Sequence, residues 1–247
     1  MHFAYPQKVE ELRATLSAFM TEHIAPNDRR WHELADREIY PTEVVEPLKA
    51  QAKAMGLWNL FLPALKPDEP GTALSNLEYA PLAEIMGRFP WAPEVFNCNA
   101  PDTGNMEILH LFGTSEQRKT WLDPLLHGKI RSGVSITEPD VASSDPTNLE
   151  TTIERDGDEF VINGRKWFTT GAKHPNFAFT LVFGVSNADP QAPKHARHSF
   201  VLVPGGTPGF SVVRDVPIMH HFAADGHCEV LFENVRVPVS NLLGEEN

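Results

Sequence analysis

The hydroxyl-bearing side chains of Thr137, Ser143 and Ser144 gather in one short stretch, "SITEPDVASSDPTN" (Ser135–Asn148). Each can both donate and accept a hydrogen bond. The stretch holds neither Lys nor Arg, so it suits a ligand edge with neutral or weakly anionic acceptors better than a bare triphosphate. Further on, "RKWFTTG" brings Trp167, Phe168 and Thr169 together. If Lys166 to Thr169 keeps regular strand alternation, Trp167 and Thr169 share one face and Phe168 takes the other. An aromatic plane with a hydroxyl beside it is what a flat heteroaromatic ligand wants: stacking or edge contact, and a hydrogen bond at its rim. Taken alone, the pattern is met more simply by a core tryptophan and an ordinary Ser/Asp-rich turn.

Other chemistries find less support. No GxxxxGK[ST] is present, which argues against a phosphate-cradling P-loop. No GxGxxG follows a strand, and the βαβ alternation of a dinucleotide fold is missing. His220 and His221 are adjacent, with His227 beyond. On a strand, neighbours point to opposite faces, so the adjacent pair would not converge on a metal ion. His195 and His198 lie in or near a polar loop, and neither an HExxH nor a Cys cluster occurs, so no metal ligand is named. No GxSxG elbow supports a nucleophilic triad.

The elements that must position these residues fall into two halves. The chain has 247 residues, 41% of them hydrophobic and 22% charged, with a net charge of -12. That is ample for a core, and the acidic balance with scattered basic residues argues against nucleic acid or an anionic membrane as partner. Cys98 and Cys228 stand far apart, which fits a reducing, cytoplasmic compartment, and neither a signal pattern in "MHFAYPQKVEELR" nor an apolar run of spanning length is present.

In the first half, "KVEELRATLSAFMTEHI" sets Val9, Leu12, Leu16, Phe19, Met20 and Ile24 on one helical face. "PTEVVEPLKAQAKAMG" predicts a helix ended by Gly56. Ser75 with Glu78, and Thr114 with Gln117, stand in capping-box register, and Gly87 and Gly128 mark ends. In the second half, Asp156-Gly157 and Asn163-Gly164 predict two tight hairpin turns and hence three short antiparallel strands. "FAFTLVFGV", "SFVLVP", "GFSVVRDV" and "CEVLFENVRVP" are further strand candidates. Segregated helices and strands give an α+β class: a helical domain over residues 1–130, then an antiparallel β domain over residues 131–247. "RVPVSNLLGEEN" stops without a closing element, as a fragment of something longer would.

"ITEPDVASSD" followed by "INGRKWFTTGA", with "GTSEQRKTWLDPLLHGKI" before and "FENVRVPVSNLLGEEN" at the end, resembles the acyl-CoA dehydrogenase family over nearly the whole chain. The form "TEPDVASSD", longer by a residue than the commoner "TEPGAGSD", is similar to the branch that includes eukaryotic dehydrogenases of 4-hydroxy and long acyl-CoA chains. The resemblance implies an N-terminal helical domain and a middle antiparallel β-barrel, with the family's C-terminal helical bundle beyond Asn247. It implies FAD as cofactor and α,β-dehydrogenation of an acyl-CoA thioester, hydride passing from Cβ to flavin N5.

By motif position, Val134, Ile136 and Thr137 line the flavin, with Ile136 and Thr137 at its pyrimidine edge. Trp167 flanks the ring, Thr169 hydrogen-bonds near N5, and Ser144 contacts both cofactor and acyl-CoA, a role Ser143 could share because the loop is longer. No catalytic base is named: the family's glutamate lies in the C-terminal bundle, and Glu138 belongs to the turn motif. The resemblance further implies an electron-transfer flavoprotein as acceptor and a homodimer or homotetramer, and leads to the expectation that the 247-residue chain alone binds FAD weakly and is inactive. A non-catalytic acyl-CoA-binding or assembly module, and a same-fold flavin oxidase or monooxygenase, stand as the alternatives.

Overall fold

The computed structural model describes residues 4–246. The first three residues of the amino-terminal stretch and the chain end read at Asn247 lie outside them. The chain divides into two compact units, Met1–Glu107 with Leu126–Gly128, and Ile108–Leu125 with Lys129–Asn247.

The first unit is helical. Helix α1 (Gln7–Phe19) runs on through a π turn (Met20–Ile24) and a 3-10 turn (Ala25–Asn27) into α2 (Asp28–Ala35). Val9, Leu16, Phe19, Met20 and Ile24 of the predicted stripe are buried. Helix α3 (Thr42–Ala54) is followed by Gly56 at φ +71°, the left-handed position that favours glycine. Helix α4 (Asn76–Met86) starts at the predicted capping box: Ser75 accepts from the Glu78 N–H, and Glu78 accepts from the Ser75 N–H. Pro81 lies within α4, and the helix continues through it. Short α5 (Ala92–Val95) follows, and α6 (Asp102–Phe112) crosses the division between the units.

The second unit opens with short α7 (Ser115–Gln117), again on the predicted box: Thr114 accepts from the Gln117 N–H and Gln117 from the Thr114 N–H. The Gln117 amide also donates to the carbonyls of Ser240 (2.8 Å) and Leu242 (2.9 Å). After a π turn comes α8 (Asp123–Leu126). The strands are β1 (Arg131–Ser135), β2 (Thr152–Asp156), β3 (Glu159–Thr170), β4 (Phe177–Val185), β5 (His198–Pro204), β6 (Phe210–Asp215), β7 (His227–Pro238) and β8 (Leu242–Leu243). They form one sheet in the order β6-β7-β3-β2-β4-β5-β8, with β1 paired to β4. Its core holds Ile153, Phe160, Ile162, Val182, Val201, Val230 and Phe232.

The α+β class is as read, but the barrel is corrected. The sheet is mixed, because β1 and β2 both pair with β4 in parallel, and it does not close. Asn163-Gly164 is not a turn either: β3 continues through it with a register shift against β7. A Cβ at Gly164 (φ +159°) would lie 2.2 Å from Thr151 Oγ1, and the Asn163 side chain accepts from the Asn234 N–H at 2.8 Å. The Asn-Gly signal is spent on a bulge and a close approach of backbone to side chain. The hairpin at 156 turns on Gly157-Asp158, since Asp156 pairs with Glu159. His220 sits in a tight turn at φ +65°, not on a strand.

Candidate active site

The stretch 136–148 leaves the end of β1 and is held from behind by one buried cation. Lys166 on β3 has no solvent exposure. Its ammonium donates to the Ile136 carbonyl (2.7 Å), to Glu138 Oε1 (2.7 Å) and to the Phe183 carbonyl (2.8 Å). Three donors thus meet three acceptors. Burial pulls the Lys166 ammonium down to about 8, against the raising influence of the Glu138 carboxylate. Glu138 Oε1 also accepts from the Thr151 N–H (2.9 Å) and Oε2 from the Glu150 N–H (2.8 Å). Burial alone would raise this carboxyl, but the bonds from Lys166, Thr151 and Glu150 together hold it below the usual carboxylate range. Glu138 is a lock for the loop and a poor proton acceptor.

The loop is pinned to β3 a second time, because the Trp167 N–H donates to the Thr137 carbonyl at 3.0 Å. The carbonyls of Ile136 and Thr137 therefore face inward to protein donors. Their backbone N–H groups donate to no acceptor among the described residues. The Trp167 indole N–H is buried and likewise has no acceptor there. Trp167 and Phe168 lie ring against ring, centroids 4.7 Å apart. Val134, Ile136, Thr137 and Trp167 are all half-buried, so each retains an open side.

The two serines are placed differently. The Ser143 hydroxyl accepts from the Glu138 N–H (2.8 Å) and lies 3.1 Å from the Glu138 carbonyl, tying the loop to itself. Ser144 is exposed, and its hydroxyl makes no hydrogen bond among the described residues.

The threonines depart from the expected alternation. A register shift between Lys166 and Thr169 puts Phe168 at φ +52°, so Lys166 and Thr169 both point into the sheet while Trp167, Phe168 and Thr170 keep solvent contact. Thr169 has no exposure, and its hydroxyl lies 3.0 Å from Ser135 Oγ, which in turn lies 2.9 Å from Thr180 Oγ1. The hydroxyl on the open side is that of Thr170, 2.8 Å from His227 Nδ1. Sequence reasoning singled out neither the buried Lys166 contacts nor the Thr170–His227 contact. A lysine beside the aromatic pair in the strand-like "FVINGRKWF" was the available signal for the first. The bulge that buries Thr169 and leaves Thr170 half-buried has no such mark.

The chain is thus a helical unit followed by a mixed sheet, with a backbone donor edge beside an aromatic pair, an arrangement that can face a flat, acceptor-rimmed ligand. The family model for the acyl-CoA dehydrogenase N-terminal domain matches residues 6–129, and that for the middle domain residues 133–235. The chain belongs to the acyl-CoA dehydrogenase family. It is 54% identical to the probable acyl-CoA dehydrogenase FadE2 of Mycobacterium tuberculosis, covering 100% of this chain and 60% of that protein. Human acyl-CoA dehydrogenase family member 11 is 44% identical over 98% of this chain and 31% of its own length. Among solved structures, a Mycobacterium abscessus protein assigned to the acyl-CoA dehydrogenases superposes with a TM-score of 0.89 at 47% identity, covering 99% of this chain and 62% of that one. Butyryl-CoA dehydrogenase from Megasphaera elsdenii, at 21% identity and a TM-score of 0.75, shares the fold. The chain thus spans about 60% of FadE2 and about a third of the vertebrate relatives.

Proposed function

We propose that this chain forms the cofactor-facing part of an FAD-dependent acyl-CoA dehydrogenase. The observation that carries the reading is the pair Ile136–Thr137: its carbonyls are consumed by Lys166 and Trp167, and its N–H groups are unmatched among the described residues, beside an indole N–H that also lacks an acceptor there. Unmatched donors beside an aromatic pair fit the carbonyl- and nitrogen-rich edge of a flavin. FAD, when bound, supplies a hydride acceptor for oxidation of the acyl thioester at Cα and Cβ.

The residues of this chain hold and polarise. The Ile136–Thr137 peptide receives the Lys166 ammonium on its carbonyl, which strengthens the N–H at its other end as a donor. Such a preset donor stabilises negative charge that develops on a reduced ring. Val134 and Trp167 flank the ring, and Phe168 shares the aromatic wall. Thr170 supplies the rim hydroxyl in place of Thr169, whose hydroxyl is committed to Ser135. Ser144 is the contact to acyl-CoA, while Ser143 shapes the loop. Glu138 is excluded as the α-proton acceptor by its three hydrogen bonds. The base therefore comes from another residue, and the oligomer and an electron-transfer flavoprotein acceptor belong to the whole protein.

The test compares the 247-residue chain with the full-length protein for flavin absorbance on purification and for acyl-CoA-dependent reduction of an electron-transfer flavoprotein. Full-length protein carrying FAD and turning over, with the chain alone weakly loaded and inactive, is the expected result. Full-length protein that binds acyl-CoA without flavin sinks the proposal.

A further inference from the structure

We propose that Arg165 is a positioning residue for the acyl-CoA contact: anchored by the buried Glu229, it holds Asp140 and so presents Ser144. The inference rests on the reading of Ser144 as that contact. Lys166 grips residues 136–138 from inside the sheet. Arg165, its neighbour on β3, is exposed on the opposite face. There its Nη1 lies 3.6 Å from Asp140 Oδ2, further along the same loop.

An exposed arginine ordinarily gives up side-chain entropy to reach a carboxylate, which leaves such pairs with little net effect. Arg165 is held beforehand. Its Nε donates to Glu229 Oε1 at 2.7 Å, and its Nη2 lies 2.5 Å from the same oxygen. The Glu229 side chain is 1% exposed, and its other oxygen accepts from Arg214 Nε at 2.8 Å. Glu229 on β7 faces Arg214 on β6, while Arg165 comes from β3 on the other side, so the carboxylate is bracketed by the two neighbouring strands. The Arg165 guanidinium is thus fixed along one edge and offers its remaining Nη1 to the loop.

The loop has need of that hold. Among the described residues, the hydrogen bonds made from 139 to 144 stay within the stretch 136–148. The Ser143 N–H donates to the Val141 carbonyl at 2.9 Å, and the Ser143 hydroxyl accepts from the Glu138 N–H. The Asp145 N–H and the Asn148 amide both donate to the Ala142 carbonyl at 3.2 Å. These bonds shape the turn and tie its end back to Glu138. From 139–144, the polar contact that reaches a strand directly is Asp140 to Arg165. Ser144 lies four residues beyond Asp140 and is exposed.

The experiment uses the FAD-loaded full-length protein with Asp140→Asn, Asp140→Glu and Arg165→Lys. Amide hydrogen exchange over 139–145 reads the hold on the loop. Isothermal titration with butanoyl-, octanoyl- and hexadecanoyl-CoA reads the contact. Asp140→Asn is expected to speed exchange and to weaken acyl-CoA binding by up to about fivefold, the worth of an exposed ion pair. Asp140→Glu keeps the carboxylate and should recover both. Arg165→Lys keeps the charge but loses the fork that Glu229 holds, and should behave as Asp140→Asn does. The sign of the effect is diagnostic. Coenzyme A is polyanionic, so deleting the Asp140 charge would by charge alone tighten binding. Equal or tighter binding by Asp140→Asn, or exchange at the wild-type rate in that variant, overturns this inference alone. A full-length protein that binds none of these acyl-CoAs overturns the acyl-CoA reading, and the exchange result still judges the hold on the loop.

Discussion

Lys166 and Glu138 form a buried ion pair, Nζ to Oε1 at 2.7 Å, with side-chain exposures of 0% and 5%. The pair joins the middle of β3 to the loop that leaves β1, so it fixes the direction in which the Ile136 and Thr137 N–H groups point. Removing one partner strands the other. Lys166→Met is expected to cost about 3–5 kcal/mol in unfolding free energy, read by denaturant titration. Replacing both, Lys166→Met with Glu138→Leu, should recover much of that stability, because two apolar side chains of similar volume carry no desolvation cost. Flavin affinity should not recover with it, since nothing then orients the 136–137 peptide. Double-variant protein with both stability and affinity restored would falsify the positioning role.

The same pair sets an acid limit. The Glu138 carboxyl lies below its ordinary value in the folded chain, so the unfolded chain binds the proton first as pH falls. The stabilisation is fully present above the unfolded carboxylate pKa and is lost as pH drops through the folded one. Wild-type stability should therefore decline below about pH 4.5, the ordinary carboxylate range. Glu138→Gln should be less stable at neutral pH and flatter across that window. Equal slopes for the two proteins between pH 3 and 6 would show that Glu138 does not supply the linkage.

The helices were legible because their signals are local. Ser75 with Glu78 and Thr114 with Gln117 satisfy backbone groups within one turn, and the residues that do so are three apart in sequence. The sheet was less so. β1 is short and buried between longer elements, and its parallel pairing with β4 joins residues more than forty positions apart, which no local pattern records. Asn163-Gly164 has the composition of a turn, yet Thr151 packed against Gly164 turns the same glycine to a different use. Within the candidate site, motif and residue type point to the loop and to Trp167. The burial of Thr169 and the exposure of Thr170 are not legible in the same way, because a single positive φ at Phe168 reverses the expected alternation.

That reversal separates the two threonines experimentally. Thr169→Val deletes a hydroxyl buried against Ser135 and should lower unfolding free energy by about 1–2 kcal/mol, as loss of a buried hydrogen bond does. Flavin affinity of the folded variant should stay near wild type. Thr170→Val removes a half-exposed hydroxyl bonded to His227 and should cost less stability than Thr169→Val while weakening flavin binding. Isothermal titration with FAD beside thermal denaturation distinguishes them, and the opposite pattern would return the role to Thr169.

Ser143 and Ser144 divide in the same manner, though on the substrate side. The Ser143 hydroxyl accepts the Glu138 N–H and so holds closed the turn that presents its neighbour. Ser143→Ala leaves that donor unmatched and is expected to cost about 1–2 kcal/mol, with weaker binding of cofactor and acyl-CoA alike. Ser144 is exposed and bonded to no described residue, so Ser144→Ala should leave the melting temperature unchanged. Its effect should appear in acyl-CoA affinity of the FAD-loaded full-length protein, about tenfold for a lost hydrogen bond. A Ser144→Ala protein with wild-type acyl-CoA affinity, beside a Ser143→Ala protein that loses affinity at unchanged stability, would move the substrate contact to Ser143.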